Sequence, residues 1–225
     1  MYKLVQVGYT SNMNDFVEIL KSTFETGEPI LTEDILATFP HVARSTTFNR
    51  IKVTVEAGTL AQFSRGVYYI PERTTLFGKE VELPLDADKV IKRKYLEQNG
   101  YPIGFISGQA LENRCGVNMQ VPGVLEITTN AETNRSRKIG AIGGYREVIL
   151  KHPRIPITQE NAAALEAIEL ISNVDTSTLD NGELNAFRAK IAAVPKAKLL
   201  ACLTAYPKRV MSKYLEGASR GLIPT

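Results

Sequence analysis

Side chains able to grip a polyanion are concentrated between residues 41 and 70. That segment holds Arg44, Arg50, Lys52 and Arg65 against one acid, Glu56, whereas residues 1–80 as a whole carry 8 basic and 9 acidic side chains. Positive charge focused on one short stretch of an acidic third points to a polyanionic partner more strongly than the net +3 of the 225-residue chain does. The stretch also contains Ser45, Thr46, Thr47 and Asn49. Arginine pairs bidentately with guanine, asparagine with adenine, and hydroxyls bond bases or phosphates. With Phe48, Ile51 and Val55 forming an inward stripe, Arg44, Ser45, Thr46, Thr47, Asn49, Arg50 and Lys52 fall on or beside the outer face of a helix. Three hydroxyl residues in a row are poor exposed helix formers, so something other than helix stability selects them. Arg65, at the tip of the hairpin that follows, adds one more cation.

Two further basic clusters lie downstream. Lys92, Arg93 and Lys94 are consecutive, and Arg135, Arg137 and Lys138 open a strand with the two arginines on one face. Together they form a second candidate phosphate-contacting surface. Lys196, Lys198, Lys208, Arg209 and Lys213 could act likewise or face an acidic protein.

The alternatives are enzymatic. A metal-dependent nuclease of the restriction type needs an acid followed by Glu-x-Lys to hold its cation and position water. Glu126 and Glu147 are followed by Ile-Thr and Val-Ile, so neither supplies the lysine. Asp86 and Asp88 read as a helix cap and a first-turn acid rather than paired metal ligands. Gly140 to Gly144 leads into Tyr145-Arg146 and a strand, not the Gly-Lys-Ser/Thr and helix of a phosphate loop. Ser107-Gly108 has no histidine nearby to activate it, and His41 and His152 lack sequence partners. Cys115 and Cys202 are too few for a zinc site or a disulfide framework, and Cys115 reads as a small buried residue. No catalytic residue, metal or cofactor is expected.

The elements that position these residues follow from pattern. Asn12 or Asn14 caps a helix carrying Phe16, Ile19, Leu20 and Phe24. Thr32 caps a second, with Ile35 and Leu36 inward, ended by Phe39-Pro40. The third runs from Arg44 to Ala57 and stops at Gly58. Residues 60–64 and Val67–Ile70 form a hairpin around Arg65-Gly66. Three helices and a hairpin in this order are those of a winged helix-turn-helix, whose third helix enters the major groove. Residues 71–84 read as a linker. Asp86 caps a helix over 87–98, a short helix spans 107–114, and strands are expected at 121–128, 135–139 and 146–151. From residue 158 onward only helices are expected, over 159–173, 178–193, 195–205 and 207–217. The fold class is therefore α+β: a winged helix-turn-helix at 1–73, a small mixed α+β domain at 84–157 and a helical C-terminal region at 158–225.

The residues from Leu31 to Pro71 resemble the N-terminal winged helix of AbiEi-type antitoxins, the regulators of type IV toxin–antitoxin systems. The likeness rests on Thr32-Glu-Asp-Ile-Leu36, on Arg50-Ile51 with Glu56-Ala-Gly58 and Leu60, and on Arg65-Gly-Val-Tyr-Tyr-Ile-Pro71. It continues in Tyr101–Gly108, Gln120–Asn130 and Tyr145–Lys151, covering about residues 15–157. The resemblance implies binding of double-stranded promoter DNA at inverted repeats, repression of the protein's own operon and neutralisation of a nucleotidyltransferase-like toxin. Two other readings stay open: a module whose winged helix binds a protein, and an enzyme that processes nucleic acid.

Composition is compatible with a globular chain, at 44% hydrophobic and 23% charged residues. No run of ~18 apolar residues is present, so no membrane span is expected. The first twelve residues lack the apolar core of a signal peptide, which makes the reducing cytoplasm the expected compartment.

Overall fold

The computed structural model describes residues 12–223. The expectation of a leaderless start falls largely on residues 1–11, outside them. The chain divides into two compact units, residues 1–91 and 92–225. Helices and small sheets are mixed throughout, giving the expected α+β class.

In the first unit, α1 (Met13–Thr23) begins at Asn12, whose side chain accepts the N–H of Asn14. A short strand β1 (Ile30–Leu31) leads directly into α2 (Thr32–Thr38). Thr32 is the first helical residue rather than the expected cap. The Asp34 carboxylate accepts the Leu31 N–H at 2.9 Å, and the Thr32 N–H is donated to Gly66 O at 3.1 Å. α3 (Arg44–Glu56) is followed by β2 (Ala61–Ser64) and β3 (Val67–Tyr69), which pairs with both β2 and β1 in a three-stranded antiparallel sheet. Phe16, Leu20, Ile30, Ile35, Phe39, Ile51, Leu60, Tyr68 and Ile70 form the core, with the Phe16 and Phe39 rings stacked at 4.5 Å.

Two expectations are corrected here. The buried stripe of α3 is Thr47, Ile51 and Thr54, while Phe48 is 44% exposed and Val55 half-buried. Threonine can take these positions because its hydroxyl closes on the carbonyl four residues back, to Ala43 O at 3.4 Å and Arg50 O at 2.7 Å, leaving only methyls to pack. Residues 71–84 are not a linker: β4 (Glu72–Leu76) and β5 (Lys79–Leu83) form an antiparallel hairpin turning at Phe77-Gly78.

The expected helix over 87–98 is also shorter. α4 (Ala87–Ile91) closes the first unit, capped by Asp86, which accepts the Asp88 N–H at 2.9 Å. Lys92–Leu96 is a π-helical turn that opens the second unit and leads into β6 (Glu97–Gln98) and β7 (Tyr101–Pro102), a two-stranded hairpin.

The second unit is built on a four-stranded sheet. β8 (Gly104–Ser107) runs into α5 (Gly108–Arg114), and β9 (Val124–Thr129), β10 (Ser136–Lys138) and β11 (Glu147–Lys151) complete the order β10-β11-β9-β8. β9 and β11 are parallel, and the outer pairs are antiparallel. Ile106, Leu125, Ile127, Val148 and Leu150 occupy its buried face. α6 (Ala162–Asn173) is apolar nearly all round and packs against β8 and α5. α7 (Asn181–Ala192), α8 (Lys196–Leu203) and α9 (Lys208–Ser219) follow, with α6 contacting each of them. The expected helical region at 158–225 thus lies within the second unit.

Gly104 marks how tightly this sheet is built. A Cβ there would lie 2.0 Å from the Tyr95 carbonyl oxygen and 2.9 Å from that of Thr128.

Candidate nucleic-acid interface

The first turn of α3 carries no acidic residue, and Ala43 at its N-cap offers no side-chain acceptor. Its leading N–H groups therefore keep their capacity for an anion. Arg44, Ser45, Thr46, Asn49 and Lys52 are exposed along this helix. No carboxylate lies within ion-pairing distance of Arg44 or Arg65 among the described residues. Lys52 makes only an exposed pair with Glu56 at 3.8 Å, one turn on.

Two of the expected contact residues sit elsewhere. Thr47 is fully buried, so its side chain cannot reach a phosphate or a base; the rotation of α3 that buries it turns Phe48 outward. Arg50 is half-buried, its guanidinium 5.8 Å from the centre of the Phe16 ring, where it covers the core. Phe48 and Val53, at 44% and 42% exposure, are apolar residues on the outer side of the same helix.

The turn between β2 and β3 presents Arg65 to solvent. Gly66 has φ +77°, a left-handed backbone that a side chain would strain, and its carbonyl accepts the Thr32 N–H and, at 3.4 Å, the Thr32 hydroxyl. The turn is thereby fastened to the start of α2.

The second unit handles its basic residues differently. Arg137 donates to Glu132 at 2.7 Å, Lys138 pairs with Glu147 at 3.1 Å, and Lys92 with Glu97 at 3.4 Å. Lys94 lies 5.5 Å from the centre of the Tyr95 ring, and Arg93 is half-buried on the same turn. Arg135 is exposed. Glu132 is only 2% exposed and accepts from the Thr133 and Asn134 N–H groups, from the Asn134 amide and from Arg137. Burial pushes its carboxyl pKa up, but the hydrogen bonds from Asn134 and the Arg137 charge outweigh this and hold it below the ordinary value.

Of the residues considered for catalysis, Ser107 lies opposite Glu126 in the register of β8 and β9. Ser107 is buried, and its hydroxyl has no hydrogen-bond partner among the described residues. Glu126 is held by Lys151 at 2.6 Å. His152 Nδ1 lies 2.5 Å from the Glu132 carbonyl oxygen. Burial pushes the thiols of Cys115 and Cys202 up. Among the described residues no three His, Cys, Asp or Glu side chains are grouped as metal ligands, and no helix is long and apolar enough to cross a membrane. The Gly140–Gly144 stretch contains an Ile142–Tyr145 bridge and connects β10 to β11.

Sequence reasoning missed the hairpin of residues 72–83 and its tip, Phe77. Part of the signal was present: Lys79–Leu83 alternates and follows a glycine, whereas Glu72–Thr75 is polar throughout. No family model matches the chain, and no curated protein or solved structure matches it either.

Proposed function

We propose that the first unit is a winged helix-turn-helix that binds double-stranded DNA, with α3 as the recognition helix and the Arg65-Gly66 turn as the wing. The observation that carries this reading is the acid-free, uncapped start of α3, flanked by exposed Arg44, Ser45, Thr46 and Asn49. Such an end combines amides and a dipole for a phosphate with side chains suited to base edges. The order of three helices, with β1 pairing beside the β2–β3 hairpin, supports it. Arg44, Lys52 and Arg65 supply phosphate contacts, Asn49 a base contact, and Phe48 an apolar surface for a thymine methyl.

On this reading the protein is a cytoplasmic transcriptional regulator resembling AbiEi-type antitoxins. It represses its own operon at inverted repeats and counteracts a nucleotidyltransferase-like toxin. Binding of the full chain to a labelled duplex from upstream of its own coding sequence, against an unrelated duplex, tests the first part. The reading expects preference for the upstream duplex and a loss of affinity with salt. Equal binding to both duplexes would remove the regulator role. A second reading, a protein-binding module, draws on the exposure of Phe48 and Val53. Salt-independent association with a protein and none with DNA would favour it.

A further inference from the structure

Residues 184–215 hold seven basic side chains and no acid. The fold accounts for three of them. Lys190 pairs with Glu166, Lys213 donates to the Ser172 carbonyl oxygen at 2.7 Å, and Arg188 is half-buried on α7. The other four, Lys196, Lys198, Lys208 and Arg209, are exposed, and among the described residues none has a carboxylate within ion-pairing distance. Lys196 and Lys198 open α8, and Lys208 and Arg209 open α9. Leu199, Cys202 and Leu203 of α8 and Val210 and Tyr214 of α9 are buried, which leaves the basic side chains on the outer side. Arg154 adds a fifth exposed cation beside the second pair, 5.6 Å from the centre of the Tyr206 ring. Burial pushes the Tyr206 phenol up to about 12, so it brings no negative charge to this surface.

Fold stability does not explain the four cations. A helix is stabilised by acids in its first turn and bases in its last, and a base at its start opposes the helix dipole. α1 and α7 follow this rule, with Asp15 and Glu183 in their first turns and Lys21 and Lys190 in their last. α8 and α9 reverse it. Neither has an acid in its first turn or a base in its last, and their basic residues stand at their starts. Charges that oppose the fold and meet no carboxylate within it point to an anionic partner.

The surroundings select the kind of anion. Protein interfaces are anchored by exposed aromatic and other large apolar side chains and are poor in lysine. Over residues 184–213 no large apolar side chain is exposed, the nearest being Leu215 on α9. Three of the four cations are lysines, point charges suited to phosphate. Positive charge without apolar anchors matches a sugar–phosphate backbone, whose contacts add affinity without reading sequence.

We infer that the outer surface of α8 and α9, with Lys196, Lys198, Lys208 and Arg209, is a second, sequence-independent contact to the phosphate backbone of double-stranded DNA. The inference rests on the proposed function in taking duplex DNA as the nucleic acid. α3 supplies the preference for one duplex over another, and α8 and α9 supply affinity for any duplex.

The full chain, titrated with the upstream and the unrelated duplex over a range of salt, tests this. Lys196→Ala/Lys198→Ala/Lys208→Ala/Arg209→Ala should weaken binding to both duplexes alike, by at least about tenfold at 0.1 M salt, and flatten the log affinity against log salt slope by about 3–4. The ratio between the duplexes should stay that of the parent. Lys196→Arg/Lys198→Arg/Lys208→Arg should keep the parent's slope, because a phosphate contact needs only the charge. Thermal unfolding of the alanine variant should show a midpoint held or raised, since charges opposing two helix dipoles are gone. An unchanged slope, a loss confined to the upstream duplex or a lowered midpoint would overturn this surface and leave the α3 reading in place. A parent that binds neither duplex would overturn both.

Discussion

The cations on α3 and at the β2–β3 turn are placed differently from most of the basic clusters of the second unit. In the second, Arg137, Lys138, Lys151 and Lys190 each face a carboxylate at 3.1 Å or closer, and Glu132 sinks almost wholly below the surface to meet Arg137. In the first, Arg44 and Arg65 project into solvent and Lys52 has only an exposed helical neighbour. Paired charges cost desolvation and are repaid inside the fold, whereas unpaired charges on an exposed helix stabilise little by themselves. The count of basic residues per segment therefore says less than which of them have carboxylates in reach. By that measure the surface around Lys92, Lys138 and Arg137 is weaker ground for DNA contact than α3.

The largest expected effect tests the structural half of this contrast. Glu132→Ala removes the acceptor of several buried donors and should lower the unfolding free energy by about 2–4 kcal/mol, read by urea denaturation. Its carboxyl is held below the ordinary carboxylate value when folded, so its stabilisation is complete above about pH 4.3 and fades as pH falls through the lower folded value. The parent should therefore lose stability on acidification more steeply than Glu132→Ala. Parallel pH profiles would show that this carboxylate is not what the loop depends on.

The next effect belongs to α3. Asn49→Ala should weaken binding to the upstream duplex by about 1–3 kcal/mol with no change in thermal midpoint. Arg44→Ala should weaken binding to upstream and unrelated duplexes alike. A mutant that loses midpoint as well as affinity would place the side chain in the fold. Arg50→Ala is expected to do just that, losing about 0.5–1 kcal/mol of stability with its cover over Phe16. The smallest effect is at the turn. Arg65→Ala should lower affinity modestly and leave stability intact. Gly66→Val should disturb the turn itself, since its φ is +77° and a Cβ would lie 3.3 Å from the Thr32 hydroxyl.

Much of this organisation was legible in the sequence because apolar spacing carries it. The core helices, the Arg65-Gly66 turn and the strands β10 and β11 all follow from periodicity and turn residues. α3 was legible in extent but not in rotation. Thr47 and Thr54 read as polar, and only their backbone hydrogen bonds let them sit inside. The hairpin of residues 72–83 was hidden by its framing prolines, Pro71 and Pro84, and by the polarity of its first strand, although the second alternates. Glu132 gave no signal, since burial of a lone loop carboxylate depends on donors that only the folded loop assembles. The carboxylates opposite Lys138 and Arg137 likewise come from other strands or turns, beyond the reach of local charge counting.

The central claim, that the exposed cations Arg44, Lys52 and Arg65 of the first unit hold DNA, is tested most directly by the salt dependence of duplex binding. The parent should lose affinity linearly in log salt, and Arg44→Ala/Lys52→Ala/Arg65→Ala should flatten that slope by about 2–3, near 0.9 for each phosphate contact removed. Arg137→Ala/Lys138→Ala should leave the slope where it was. A parent that binds no duplex at low salt, or a triple variant with the parent's slope, would contradict the account.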